Sequence, residues 1–141
     1  MTPTTLKDTY GLTISFAAVP TLALYLDPKS VTPYGIDGGD SIDNTTMTNT
    51  KYKTKSPGTL IELTDGSFTA AYDPGQLALI YGAVNVNTLI TFTYADSTSE
   101  AVYGYLKSFT PNEHAASTDA TAECVIVASM TNAAGAETAP A

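Results

Sequence analysis

The strongest constraint on this chain is its rhythm: short segments with an apolar residue at every second position, broken by Gly, Pro, Asp or Asn. A period of two belongs to β-strands that bury one face and wet the other. Leu12, Ile14 and Phe16 alternate with Thr13 and Ser15, and Leu22, Leu24 and Leu26 repeat the pattern until Asp27-Pro28 ends it. Asp65-Gly66 stands between β-prone runs at 60–64 and 67–72, where that dipeptide predicts a two-residue hairpin turn. Ile90, Phe92 and Tyr94 form a further strand face. The run 102–109 follows, with Gly104 marking a bulge or a close packing contact, and 120–130 turns Ala122, Cys124, Ile126 and Ala128 inward. Threonine fills many outward positions because its β-branch fits the pleated surface.

One short helix is expected over about 74–82. Asp73 suits the N-cap, Pro74 the first helical position, Gln76 completes a capping-box spacing, and Gly82 stops it. Leu77, Ile80 and Tyr81 share its inner face, and a helix of that length needs a sheet to lean on. Tyr72, Tyr81 and Tyr94 all read as core-facing. The fold class is therefore mainly β, a two-sheet sandwich or barrel with one flanking helix. At 141 residues the chain reads as one domain over 1–141, with a core over about 11–130 and flexible arms at 1–10 and 131–141. A long polar stretch at about 37–57 interrupts the strands, and loops of that length are usually functional or disordered.

The charge excludes one class of function. Fourteen acids stand against six lysines, arginine is absent, and the net charge is -8. Such a surface does not grip phosphate, since nucleic-acid binding needs Lys and Arg to displace counterions. The lone Cys124 makes no internal disulfide, no apolar run approaches a spanning helix, and residues 1–11 lack the apolar stretch of a secretory signal.

No cofactor, metal or catalytic site is expected. Asp37, Asp40 and Asp43 do not follow the calcium-loop spacing. His114, the only histidine, lacks partners at zinc spacing and reads as a solvated loop residue, while burial in an alternating strand makes Cys124 an inert thiol. Phosphate-loop, nucleophile-elbow, HExxH and dinucleotide motifs are absent. Lys51, Lys53 and Lys55 alternate, so an extended segment sets all three on one side; they fit either a solvated edge or a contact with an acidic neighbouring copy.

Over about three-quarters of the chain, the order of segments resembles the major tail tube proteins of long-tailed, lambda-like, non-contractile phages. The segments are VTPYGIDGGDSID, TTMTNTKYKTKSPG, SFTAAYDPGQLALIYGAVNVNTLITFTYAD, AVYGYLKSFTPNE and ATAECVIVAS. The resemblance implies a non-enzymatic structural protein of the virion tail, assembled in the host cytoplasm. It implies self-assembly into hexameric rings stacked into a tube that conducts DNA into the host without binding it specifically. Implied partners are further copies of the chain and the tape measure, tail terminator and distal tail proteins; a membrane is not among them. It implies that the loop at 38–55 is mobile in the free subunit and orders at subunit contacts, through Ile42, Asn44, Thr46, Met47, Lys51, Lys53 and Lys55. A lumen that repels phosphate would draw on some of Asp65, Asp73, Asp96, Glu100 and Glu123. Alternatives are a secretion-tube ring protein of the type VI kind, which shares the fold, and a non-enzymatic β-sandwich binding carbohydrate or protein.

Overall fold

A computed structural model describes residues 11–24 and 26–140. The expected arm at 1–10 lies outside the described residues. Six strands form one antiparallel sheet in the order β1 (Thr13–Phe16), β8 (Thr88–Thr93), β9 (Ser99–Pro111), β10 (Thr121–Ala128), β7 (Gly66–Tyr72), β2 (Leu26–Thr32). Four short strands, β3 (Ile36–Asp37), β4 (Ile42–Asp43), β5 (Lys55–Ser56) and β6 (Glu62–Leu63), pair outside it. The architecture is mostly β, sandwich-like, with one short α-helix.

β9 makes the sandwich. Its first half, Ser99 to Gly104, pairs with β8, and its second half, Gly104 to Pro111, pairs with β10. Two partly separate half-sheets thus share one thirteen-residue strand. At the changeover a Cβ on Gly104 would land on the Val127 carbonyl oxygen, so only glycine lets the strands approach there. Two pairs further on the register shifts: Ile126 opposes Leu106 and Val125 opposes Ser108, leaving Lys107 as the bulged residue. The bulge turns Lys107 to solvent and keeps both Leu106 and Phe109 toward the core.

The folded sheet buries one core. Ile14, Phe16, Ile90 and Phe92 from the first half meet Phe68, Ala70, Cys124 and Ile126 from the second, with Leu22, Ile80 and Leu106 among them. Each such apolar side chain contributes about 1.5–3 kcal/mol when fully buried. The expected alternation is observed in β1, β8 and β10.

Three local expectations give way to tertiary demands. Residues 20–24 form a 3-10 turn, Pro20–Leu24, instead of a strand, and β2 starts at Leu26 and runs through Asp27-Pro28. Proline survives there because β2 is an edge strand whose outer amide positions need no partner, and the register shift between Pro28 and Ser30 sets Lys29 outside the ladder. Asp65-Gly66 is not a hairpin turn, since β6 pairs with β3 while β7 pairs with β2 and β10. Gly66 is instead required by packing: a Cβ there would meet Ile126 at 3.1 Å and the Thr32 carbonyl at 3.2 Å. Tyr81 is 55% exposed rather than core-facing, although Ile80 beside it is fully buried.

The helical segment is otherwise as expected. A 3-10 turn, Pro74–Gln76, leads into α1 (Leu77–Gly82), and the Asp73 carboxylate accepts from the Gly75 N–H at 2.9 Å. Residues 131–140, read as the second arm, carry a small turn with a bridge between Thr131 and Glu137, and Asn87 Nδ2 donates to the Thr131 carbonyl at 2.9 Å.

Two measurements check this account. Gly104→Ala is expected to cost about 1–3 kcal/mol in urea unfolding, as overpacking against backbone does; an unchanged midpoint would remove the strand-sharing role of Gly104. Burial pushes the Cys124 thiol up to about 12 from an ordinary 9.0. The unfolded chain sheds that proton first, so stability falls as pH rises from about 9 to about 12, by up to about 1.4 kcal/mol per pH unit. Cys124→Ala is expected to flatten this slope, leaving what Tyr34 and Tyr94 contribute, both raised chiefly by burial.

Candidate functional site

The polar stretch between β2 and β7 is present, and it is built rather than bare. β3 pairs with β6 near the sheet, through Ile36–Leu63 and Asp37–Glu62, and β4 pairs with β5 farther out, through Ile42–Ser56 and Asp43–Lys55. The Gly35 N–H donates to Thr64 Oγ1 at 2.8 Å, and the Thr64 N–H donates back to the Gly35 carbonyl at 2.9 Å, closing the base. Between the ladders Gly38 and Gly39 cross Gly58 backbone to backbone. Gly39 has φ +82°, and a Cβ on Gly58 would come within 2.6 Å of the Gly38 carbonyl. The crossing therefore admits no side chain on Gly58.

The tip satisfies its own polar groups. Asn49 accepts from the Thr46 N–H at 3.1 Å and donates to the Tyr52 carbonyl at 2.8 Å. The Thr54 N–H donates to Thr45 Oγ1 at 2.9 Å, and Asn44 Nδ2 donates to Ser56 Oγ at 2.7 Å. The Thr45 hydroxyl and N–H together hold the exposed Asp43 carboxyl below its usual range. Asp37 likewise accepts from the Gly39 N–H at 2.9 Å. The acids considered for calcium thus serve partly as turn acceptors, and among the described residues no three or more His, Cys, Asp or Glu side chains group to hold a metal.

The arm shows apolar side chains to solvent, and its tip is basic. Ile36, Ile42, Met47, Tyr52, Leu60 and Ile61 are exposed large hydrophobics on it, Leu60 at 82%; Tyr81 is the remaining one among the described residues. An isolated exposed leucine needs no explanation, but six such side chains on one projection make it the candidate contact surface. Lys51, Lys53 and Lys55 are all exposed, with Lys51 Nζ 5.4 Å from the Tyr52 ring centroid. From 44 to 56 there are three lysines and no acid. Asn44 and Thr46 spend their polar groups inside the tip, so Ile42, Met47 and the lysines are the residues of the expected contact set that face outward.

The five candidate lumen acids do not share one face. Asp65 lies in the two-residue link between β6 and β7, Asp73 caps the helical segment, and Asp96 accepts from the Thr98 N–H in the turn between β8 and β9. Glu100 is half-buried, opposite the core residue Phe92, and accepts from the Tyr94 hydroxyl at 3.0 Å. Glu123 alone of the five stands on the outer face of a long strand. It lies in a trough of about 220 Å³ lined by Ser30, Thr32, Ser67 and Thr69. His114 is exposed but hydrogen-bonded to the Tyr72 hydroxyl, 3.2 Å from Nε2, and Cys124 sits buried in β10 opposite Phe109. The alternation of Leu12–Phe16 and 120–130 made the core legible in the sequence; the exposed Leu60 and Ile61 were missed, because a β-prone run reads as core until its ladder partner is known.

The sheet has two free edges. β1 and β2 are joined by the 3-10 turn and diverge around a groove of about 350 Å³ lined by Leu12, Lys29, Val31 and Tyr94 among others. Pro28 and the outset Lys29 blunt the β2 edge against strand pairing. That leaves the arm as the better prepared contact surface.

No protein-family model matches the chain, and no curated protein matches it. Among solved structures it is similar to a chain of the PVC sheath-tube complex, an extracellular contractile injection system in its extended state. The TM-score is 0.63 at 18% identity, covering 87% of each chain. A chain of the virion of a native gene transfer agent particle aligns with TM-score 0.58 and 6% identity, covering 88% of this chain and 95% of that one. A chain of the anti-feeding prophage baseplate aligns with TM-score 0.57 and 7% identity, covering 91% and 93%. At these identities the likeness shows the fold alone: the chain shares the β architecture of these chains of phage-like and contractile injection particles.

The arm's order is expected to depend on the glycine crossing. Gly58→Val should speed amide hydrogen exchange at 44–54 while β8, β9 and β10 keep their protection. Equal protection of the tip in both proteins would show that its own side-chain bonds suffice.

Proposed function

We propose that this chain is a non-enzymatic structural subunit that assembles with copies of itself into rings stacked as the tube of an injection machine. The observation that carries the reading is the arm, a self-ordered projection with apolar side chains in water and three lysines on a chain of net charge -8. A tip that is basic on an acidic chain finds its complement on another copy of the same chain, which is a heterologous, head-to-tail contact that closes into rings or extends as fibres.

The fold supports the tube reading, and it favours a contractile or type VI-like injection tube over the lambda-like non-contractile tail tube. The likeness at TM-score 0.63 is to a chain of a contractile system. Six-fold rings accord with the anti-feeding prophage baseplate, which is described as 6-fold symmetrised. In this reading the body is one domain with its core over about 11–130. The contact loop comprises Ile42, Asn44, Thr46, Met47, Lys51, Lys53 and Lys55, of which Asn44 and Thr46 hold the tip in shape for the others. Glu123, on its hydroxyl-lined face, is the best placed of the candidate lumen acids: Ser and Thr wet the wall while a carboxylate repels phosphate. A phage-type tube would conduct DNA through that lumen, reside in the virion tail after assembly in the host cytoplasm, and meet tape measure, terminator and distal tail proteins at its ends.

Purified protein is expected to form rings or tubes under negative-stain microscopy and a concentration-dependent large species in sedimentation velocity. Deleting residues 42–54 should abolish these species while far-ultraviolet circular dichroism keeps its β signature. A deletion variant that still builds tubes would show that assembly runs through another surface.

A further inference from the structure

Asp-Gly occurs twice in the chain, at Asp37-Gly38 and Asp65-Gly66, and Asn-Gly does not occur. In this dipeptide the main-chain nitrogen of the glycine can attack Cγ of the aspartate carboxyl, forming a succinimide ring with loss of one water. Water then opens the ring at either carbonyl. One opening restores aspartate; the other gives isoaspartate, in which the main chain runs through the β-carbon. Glycine favours the reaction because no side chain shields its nitrogen and its backbone turns freely into the geometry of attack. Inside a folded protein, the outcome is decided by what holds the glycine.

The two sites are held differently. Asp65 is exposed, but Gly66 is buried as the first residue of β7 and pairs with Ile126 of β10. The Tyr72 N–H of the same strand donates to the Ala120 carbonyl, and the alternation of an antiparallel ladder then turns the Gly66 amide toward β10 as well. Ile126 and the Thr32 carbonyl crowd its α-carbon. Asp37 and Gly38 are both exposed, Gly38 follows the last residue of β3, and a Cβ built on it would meet nothing within 4 Å. The Asp37 carboxylate is also curled back along the chain. Its Oδ1 accepts from the Gly39 N–H at 2.9 Å, which carries the side chain over the intervening Gly38 amide.

We infer that Asp37 is a site of spontaneous succinimide formation and isoaspartate conversion in the native protein, while the β7–β10 ladder protects Asp65. Neither half depends on the tube reading. The position gives the conversion a structural effect. Asp37 is the ladder residue opposite Glu62, and the next residue, Gly38, enters the glycine crossing, where its carbonyl lies against Gly58. Isoaspartate adds one main-chain atom between ladder and crossing on that strand alone, so the two sides of the arm no longer match in length. The reaction needs only water, so the converted fraction grows with the age of the subunit, and an aged arm loses the order that its ladders and crossing provide.

Peptide mapping of the intact protein, incubated for weeks at neutral pH and physiological temperature, tests it. Cleavage after lysine puts the two sites in separate peptides, 30–51 and 56–107. Peptide 30–51 is expected to gain an isoaspartate form of equal mass and different elution, located at residue 37 by electron-transfer fragmentation, with a succinimide form lighter by one water. Peptide 56–107 should convert about tenfold more slowly, because Gly66 reacts only through openings of its ladder. In urea the two rates should converge, which assigns the difference to the fold. Gly38→Ala, for which the structure leaves open space, should slow conversion at 37 by about tenfold while the β circular-dichroism signature is kept. Aged wild-type protein should exchange amides at 44–54 faster than fresh protein, and aged Gly38→Ala should not. Equal conversion at both sites in the native protein, or none at 37 where the unfolded chain converts at both, would overturn the inference. Unchanged exchange at 44–54 in protein converted at 37 would overturn the effect on the arm.

Discussion

The close approach of Gly104 to Val127 lets one strand belong to two packed half-sheets. A thirteen-residue strand that stayed flat would hold β8 and β10 in one plane, and the inner face would remain open to water. With glycine at the changeover and Lys107 bulged just beyond it, β9 bends, and Phe92 from one half meets Cys124 and Ile126 from the other in one core. The buried state of Cys124 and the burial of Ile80 between α1 and the sheet follow from that bend.

The strand order also decides where the long insertion leaves the sheet. Since β2 ends as one edge, the chain must leave the sheet to reach β7, which pairs back on β2 itself. The intervening segment crosses no core and so contributes little apolar burial. Its order comes from short ladders, from hydroxyl and amide bonds among Thr45, Asn49 and Thr54, and from a glycine crossing. Such a device keeps apolar side chains in water without collapse onto the body. The resemblance-based expectation was of a loop ordered by its neighbours, whereas here much of the ordering entropy is already offset within the subunit. The edge itself, with Pro28 and Lys29, is protected from indiscriminate strand pairing, so association is directed to side chains rather than to open backbone.

The period-two segments, the Asp73-Pro74 helix start and the core role of Cys124 were legible in the sequence, because each depends on residues within a few positions of one another. Asp65-Gly66 was not: it reads as a hairpin, yet Gly66 answers to Ile126, sixty residues away. Leu22 and Leu26 alternate as a strand would, but Leu22 reaches the core from a 3-10 turn. Tyr81 follows the helical period correctly and is exposed because a helix of six residues covers the sheet with Ile80 and leaves its flank uncovered. Composition supplies the acids but carries no direction: strand register alone separates the core-side Glu100 from the outward Glu123.

By itself the sequence determined a mainly β chain, an inert buried thiol, a polar insertion between strands and a charge balance that does not hold nucleic acid. These properties are local or additive, set by alternation and by counts of acids and lysines. Tertiary structure alone decided that one strand serves both halves, that the insertion stands as an arm, and that Tyr81 stays exposed while Ile80 beside it is buried. Those facts depend on which strands pair and in what register, and pairing is settled by the joint packing of residues far apart in the chain.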